Sequence, residues 1–226
     1  MRLVIGNKNY SSWSMRPWVL MRACGIAFTE EKLRFDFSPD SPFRRAVAAV
    51  SPAGKVPVLL LDDGFAVWDT LAIAETLADR FPQAGVWPAD ANPRARARSV
   101  SAEMHSGFSA LRNHCPMNIE ASLHEVGARI WAEQVAVRAD VARIEAIWAD
   151  ALAMSGGPFL FGAFGAADAF YAPVVMRLRS YGLPVGEATR AYMDRVVAHP
   201  AVAAWIADAL AEQDFIAEDE PYRQHR

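Results

Sequence analysis

Cysteine is scarce in this 226-residue chain, which holds only Cys24 and Cys115 and no Cys-x-x-Cys motif. Two isolated cysteines exclude a disulfide scaffold and a zinc ribbon, and they are typical of a protein in a reducing cytoplasm. They also exclude chemistry that needs a redox-active dithiol. The histidines near Cys115 have a spacing that matches no standard ligand set, so we expect no metal: His105, His114 and His124.

Long apolar runs and a strong net charge are also lacking. No apolar run approaches the roughly 20 residues of a membrane span. The segment from Met1 to Gly6 is too short for a signal peptide, so we expect no membrane association. The net charge of −3 gives no electrostatic preference for nucleic acid, so we expect no such partner. A hydrophobic fraction of 53% is ordinary for a folded cytoplasmic protein.

The first eighty residues alternate between strand and helix patterns. The predicted elements are strand Leu3–Ile5, helix Met15–Ala23 starting after Ser14, strand Phe28–Phe37, helix Phe43–Val50, two strands flanking Asp63-Gly64, and helix Leu71–Phe81. The first crossover predicts a parallel strand pair, and the Asp-Gly turn predicts an antiparallel pair. The predicted order is therefore βαβαββα.

Composition changes after this segment. Four turn-forming residues indicate a linker over residues 83–92: Pro82, Gly85, Pro88 and Pro93. Strand patterns are then absent, and the rest of the chain reads as helices, including a segment from Ala166 to Leu178 that is apolar on all sides and is expected in the core. We predict an α/β domain over residues 1–82 and an all-helical domain over residues 93–226.

The loop before the first helix carries hydroxyls where a redox protein would carry a thiol. Ser11, Ser12 and Ser14 lie at the start of that helix, where unpaired backbone N–H groups favour a negative charge. A hydroxyl there can donate a hydrogen bond to a thiolate that a ligand supplies. Such a charge-assisted bond contributes roughly 1.5–3 kcal/mol, which equals about one to two pKa units.

Three short motifs carry a family resemblance. Ser11 to Arg16 is similar to the Ser-Ser-Cys-x-x-Arg motif of zeta-class glutathione transferases, which include maleylacetoacetate isomerases. Val56-Pro57 resembles the cis-proline signature of thioredoxin-like domains, and Asp69-Thr70 resembles the acid-plus-hydroxyl pair of the glutathione transferase superfamily. The resemblance implies the glutathione transferase fold, with a thioredoxin-like N-terminal domain and a helical C-terminal domain. It places the catalytic serine at Ser11, with Ser12 as the close alternative.

The resemblance also implies the residues that contact glutathione, which are Trp13, Lys55, Val56, Pro57, Asp69 and Thr70. In this reading Asp69 pairs with the γ-glutamyl ammonium and Thr70 with its carboxylate. The simpler readings are a solvated lysine at position 55 and a plain helix cap at Asp69-Thr70.

One helical stripe is the candidate wall of a pocket for the second substrate. It carries Met104, His105, Phe108 and Arg112. Core packing is the alternative for Met104 and Phe108, whereas His105 and Arg112 are unusual in a core. The segment from Phe161 to Asp168 resembles the family's capping box, which implies a structural role for Asp168.

The resemblance implies a cytoplasmic glutathione transferase that acts on a small electrophile. It also implies a homodimer, in which Arg94, Arg96 and Arg98 are either solvated or paired with the second subunit. Two alternatives stay open. The first is other glutathione-dependent chemistry, namely maleylacetoacetate-type isomerisation, peroxide reduction or dehalogenation. The second is a non-catalytic interaction protein with the same fold.

Overall fold

The computed structural model describes all residues from Met1 to Arg226. The N-terminal part contains β1 (Arg2–Ile5), α1 (Ser12–Ala23), β2 (Thr29–Lys32), α2 (Pro42–Val50), β3 (Val58–Leu60), β4 (Ala66–Trp68) and α3 (Thr70–Arg80). The C-terminal part contains α4 (Ala91–Ser106), α5 (Ser109–His114), α6 (His124–Glu133), α7 (Val135–Ser155), α8 (Ala166–Ser180), α9 (Glu187–Ala198) and α10 (Pro200–Glu212), followed by a 3-10 helix at Ala217–Asp219.

The four strands form one mixed sheet in the order β2-β1-β3-β4. β1 runs parallel to β2 and antiparallel to β3, and β3 pairs with β4 in an antiparallel hairpin. This topology confirms the predicted βαβαββα order and the fold class. The domain boundaries at residues 82 and 93 stay a prediction, although no helix or strand lies between α3 and α4.

The start of α1 corrects the sequence prediction. The helix begins at Ser12 and not at Met15, because Ser11 is the capping residue: its Oγ accepts a hydrogen bond from the Ser14 backbone N–H at 3.3 Å. Pro17 therefore lies in the second turn of the helix.

Strand β2 is also shorter than predicted. It ends at Lys32, and the backbone N–H of Phe35 then donates to the side-chain Oδ1 of Asn7 at 2.7 Å. At Phe35 a side-chain acceptor thus takes the place of a backbone carbonyl of the neighbouring strand, so the strand pairing does not continue to this residue.

Helix α8 forms the centre of the molecule. Every residue of α8 except Arg179 is buried, as its apolar pattern predicts. It packs against α1 and α4, and one continuous apolar core joins the sheet, α1 and the C-terminal helices. None of the helices combines the length and hydrophobicity needed to cross a membrane.

Asp168 fixes the start of α8. Its carboxylate accepts hydrogen bonds from the backbone N–H groups of Leu160 and Gly165 at 3.0 and 3.1 Å, and from the Tyr192 hydroxyl at 2.9 Å. Burial raises the pKa of Asp168 to about 6, and these hydrogen bonds oppose that effect. The carboxylate thus supplies the N3 half of a capping box, because it accepts from the backbone N–H of the capping residue Gly165.

We predict that Asp168→Ala destabilises the fold by about 3 kcal/mol, because three buried donors lose their acceptor. Urea unfolding at neutral pH measures this change. Asp194→Ala is the matched control, because Asp194 is 68% exposed and lies on the adjacent α9. A change in Asp168→Ala as small as that of the control would contradict the structural role.

Candidate functional site

The loop between β1 and α1 is buried and is held by the last helix of the chain. Glu212, at the end of α10, accepts hydrogen bonds from the backbone N–H groups of Lys8 and Asn9 at 2.8 and 3.3 Å. The Nζ of Lys8 forms ion pairs with Glu30 at 2.7 Å and Asp208 at 2.6 Å. The loop that leads into Ser11 therefore has a fixed conformation that depends on α10.

The C-terminal tail adds a second anchor to this loop. The Tyr10 hydroxyl donates to Glu220 Oε1 at 2.7 Å, and Asn118 Nδ2 donates to the same atom at 2.9 Å. Arg223 Nε donates to the other oxygen of Glu220 at 2.8 Å. Burial and the Glu220 carboxylate raise the pKa of Tyr10 to about 12. The tail is therefore packed against the loop and covers it, a role that sequence analysis did not assign.

Ser11 and Ser12 occupy different environments at the start of α1. The hydroxyls of Ser11 and Ser14 share a hydrogen bond of 2.7 Å, and Ser14 Oγ also accepts from the Gly6 N–H at 3.1 Å. Ser12 Oγ accepts from Arg177 Nη2 at 3.1 Å. Ser11 is the donor in its hydrogen bond to Ser14. A hydroxyl can donate as well as accept, so Ser14 can become the donor when a ligand binds, which frees the Ser11 proton for that ligand.

Three arginines surround this helix start without a carboxylate within salt-bridge distance. The guanidinium carbons of Arg16 and Arg112 lie 4.0 and 4.7 Å from the Trp13 ring centroid. Burial and the neighbouring arginines lower the pKa of Arg16 to about 9 and that of Arg177 to about 10. Arg16 has two buried nitrogens without a hydrogen-bond partner, and Arg177 has one. The region is therefore electropositive and suited to an anion.

A cavity of about 520 Å³ lies between the two parts of the molecule. The Val56–Pro57 peptide bond on its wall is cis. All six predicted glutathione contacts are in this wall: Trp13, Lys55, Val56, Pro57, Asp69 and Thr70. The structure thus brings together residues that are separated by up to 57 positions in the sequence.

His105 connects the two parts across this cavity. Its Nε2 lies 3.2 Å from Asp69 Oδ2, and its Nδ1 lies 3.4 Å from Thr70 Oγ1. Asp69 has a φ of 74° and caps α3, since its Oδ1 accepts from the Leu71 N–H at 2.8 Å. Burial lowers the pKa of His105, and Asp69 opposes this shift. Asp69 therefore acts as a helix cap through Oδ1, while its Oδ2 contacts His105.

A second cavity of about 440 Å³ contains Ser11 and Ser12 in its wall. It shares four residues with the first cavity, so the two are adjacent: Trp13, Lys55, Val56 and Arg112. A ligand in the first cavity can therefore extend toward the serines through this shared wall.

The predicted second-substrate stripe divides between wall and core. His105 and Arg112 are in the cavity walls, whereas Met104 and Phe108 are in neither wall and pack in the hydrophobic core. Their apolar side chains gain more from burial than from facing an open cavity. Met104 and Phe108 therefore lie in the core, as the core-packing interpretation predicts.

Sequence analysis missed three charged residues of the second cavity, Arg44, Arg177 and Asp219. Arg177 lies in the largely apolar helix α8, and a buried charge in such a helix is itself a signal of a paired or functional residue. Asp219 carries no comparable signal, because its position depends on how the C-terminal tail folds back.

Two family models match the chain. The glutathione S-transferase N-terminal domain matches residues 10–80, and the glutathione S-transferase C-terminal domain matches residues 117–208. Together these segments cover more than half of the chain.

Similar proteins agree with these matches. A maleylacetoacetate isomerase from Pseudomonas aeruginosa is 35% identical over 74 residues, which are 33% of this chain and 35% of that protein. A probable maleylacetoacetate isomerase from Caenorhabditis elegans is 38% identical over 64 residues, which are 28% of this chain and 29% of that protein. The matched segments thus span about a third of these relatives.

Solved structures resemble the whole chain in fold. A glutathione transferase homolog from Burkholderia with bound glutathione is 24% identical, with a TM-score of 0.68 over 92% of this chain and 97% of that one. A maleyl pyruvate isomerase described as a bacterial zeta-class glutathione S-transferase is 21% identical, with a TM-score of 0.67 over 93% and 98%. The sheet topology, the two family models and these folds agree that the chain belongs to the glutathione S-transferase family.

Proposed function

We propose that this protein is a glutathione transferase that uses a serine hydroxyl at the start of α1 to stabilise the glutathione thiolate for attack on a small electrophile. One observation carries the proposal. The cavity that contains Ser11 and the cavity that contains Val56, Pro57, Asp69 and Thr70 share a wall. The hydroxyl and the candidate tripeptide site are therefore adjacent.

The residues of the first cavity fit the polar groups of glutathione. The N-terminus of α3 and the Thr70 hydroxyl suit the γ-glutamyl carboxylate. Asp69 suits the ammonium group, because its Oδ2 faces the same cavity and pairs only with His105. Lys55 has no ion pair within the chain and suits the glycyl carboxylate.

Ser11 is the proposed hydrogen-bond donor to the thiolate. Its hydroxyl lies at the positive end of the α1 helix dipole. The electropositive arginines next to it favour the same negative charge. Both effects lower the pKa of a thiol placed there, so more of it is ionised near neutral pH.

The arginine cluster supports a second candidate function, the isomerisation of an acidic substrate. Arg112 and Arg177 are in the wall of the serine cavity and have no carboxylate partner. Guanidinium groups in such a site suit a carboxylate on the electrophile. The two curated relatives are named as maleylacetoacetate isomerases, which agrees with an acidic substrate.

We also propose a homodimer and a cytoplasmic location. Family membership and an apolar patch support the dimer, because Phe65 is 65% exposed and Trp68 is 44% exposed at β4. Arg98 binds Glu75 within the chain at 2.6 and 2.8 Å. Among the arginines at the start of α4, Arg96 is therefore the one most available to a second subunit. The two free cysteines fit a reducing compartment.

Ser11→Ala is expected to reduce turnover of an aryl halide by about a hundred-fold and to leave glutathione affinity within a few-fold, because the other contacts remain. Ser11→Thr is the control, since it keeps both the hydroxyl and the helix cap. Steady-state kinetics and calorimetric binding measure the two effects. A larger loss in Ser12→Ala would move the proposed role to Ser12, and a wild-type protein not retained on a glutathione column would favour the interaction-protein alternative.

Arg112→Met is expected to raise KM for a carboxylate-bearing electrophile by about ten-fold while leaving KM for a neutral electrophile unchanged. Methionine keeps an apolar stem next to Trp13 but removes the charge. Arg143→Met is the control, because Arg143 pairs with Glu103 outside both cavities. Equal changes for both electrophiles would argue against recognition of a carboxylate.

Phe65→Asp is expected to convert the dimer to a monomer near the chain mass of 24.8 kDa, because it places a charge in the apolar patch. Light scattering after size exclusion measures the mass. Val135→Asp is the control, since Val135 is equally exposed, at 67%, but lies on α7. A wild-type monomer, or a variant that stays dimeric, would contradict this surface assignment.

A further inference from the structure

Asp219 is a carboxyl group of the serine cavity that no contact in the fold explains. It is the last residue of the 3-10 helix in the C-terminal tail, and it lies in the same cavity wall as Ser11 and Ser12. Its Oδ2 atom is buried and has no hydrogen-bond partner. Buried polar atoms without a partner are rare and costly, so their presence in a cavity is a sign of function.

The Asp219 side chain is not needed to hold the tail. The tail is fixed by Glu220, which binds Tyr10 and Asn118, and by the burial of Ile216 against Tyr10. The Tyr222 hydroxyl also donates to the His114 carbonyl at 2.8 Å. The tail therefore presents Asp219 to the cavity by means of its neighbours, and the carboxyl group itself stays unpaired.

Burial, together with Glu218 and Glu220, raises the pKa of Asp219 to about 6. About a tenth of this carboxyl group is then protonated at pH 7, and about half at pH 6. The other titratable and charged groups in the cavity wall come from the first loop, α2, the segment before β3, α5 and α8: Tyr10, Arg44, Lys55, Arg112 and Arg177. None of them is a carboxyl group.

The tyrosine and the arginines of this wall are poor proton donors at neutral pH, and Lys55 is already assigned to the glycyl carboxylate. The Tyr10 hydroxyl is committed to Glu220, and its pKa of about 12 is far above the working range. Arginine does not release a proton under these conditions, and Arg177 is bound to Ser12 and to the carbonyl of Cys115. Asp219 is thus the group in this wall whose proton can be exchanged near neutral pH.

We propose that Asp219 is a catalytic proton donor for electrophiles that contain an α,β-unsaturated carbonyl group, an inference that rests on the proposed function. In the step, the thiolate forms an S–C bond at the β carbon, the alkene π pair becomes a new C=C bond to the carbonyl carbon, and the C=O π pair moves to the carbonyl oxygen. That oxygen takes the Asp219 proton, and the carboxyl group keeps the electron pair of the broken O–H bond. The reverse step returns the proton. An aryl halide has no carbonyl oxygen to protonate, so its substitution does not use Asp219.

The test compares Asp219→Asn with wild type on an unsaturated ketone and on an aryl halide. We expect the variant to lose about ten-fold or more in kcat/KM for the ketone at pH 6 and to keep its rate for the aryl halide. Both substrates need the thiolate, but only the ketone needs the protonated acid. The ratio of the ketone rate to the aryl-halide rate should therefore fall as pH rises through about 6 in the wild type and stay constant with pH in the variant. Asp150→Asn is the control, because it removes an exposed carboxyl group on α7 that lies outside both cavities.

A second measurement does not depend on turnover. Carbon NMR of carboxyl-labelled aspartate in the ligand-free protein should show two groups that titrate near 6, Asp168 and Asp219. Asp219→Asn should remove one of them. A spectrum without a second such group would overturn the assignment.

The kinetic outcomes separate this inference from the function on which it rests. Equal losses for both substrates would mean that Asp219 supports the cavity and donates no proton, and no loss for either would mean that it is not used; both results overturn the inference alone. A wild-type protein that neither binds glutathione nor turns over the aryl halide would overturn the proposed function itself.

Discussion

The site depends on the attachment of the first loop to the end of the chain. Glu212 holds the backbone of Lys8 and Asn9, and Glu220 holds the hydroxyl of Tyr10. These are charge-assisted hydrogen bonds in a largely dry environment, where each is worth more than at the surface. They fix the residues just before Ser11, so the position of the serines is set by side chains about two hundred positions away.

The attachment of the first loop brings together two cavity walls of different chemistry. The sheet side offers backbone and side-chain groups that match a tripeptide, while the helical side offers guanidinium groups that have no carboxylate partner in the chain. The unpaired charge of Arg16 and Arg177 costs free energy in the ligand-free protein. An anionic thiolate or a carboxylate in the cavity would offset that cost, which gives the arginines a reason to be buried there.

Local patterns predicted much of this architecture. The strand and helix patterns predicted the element order and two of the strand pairings, and the apolar segment that forms α8 was correctly expected in the core. The start of α1 was misplaced, because either Ser11 or Ser14 could have capped it and only packing selects between them. Arg177 and Asp219 could not be assigned to the cavity, since their positions follow from long-range folding and not from any local motif.

The most direct test of the account is an ultraviolet titration of glutathione bound to the wild-type protein, in which thiolate absorbance is followed against pH. The account predicts that the pKa of the bound thiol lies about one to two units below that of the free thiol, near neutral pH. A bound thiol that titrates like free glutathione would contradict the claim that this loop stabilises its ionised form.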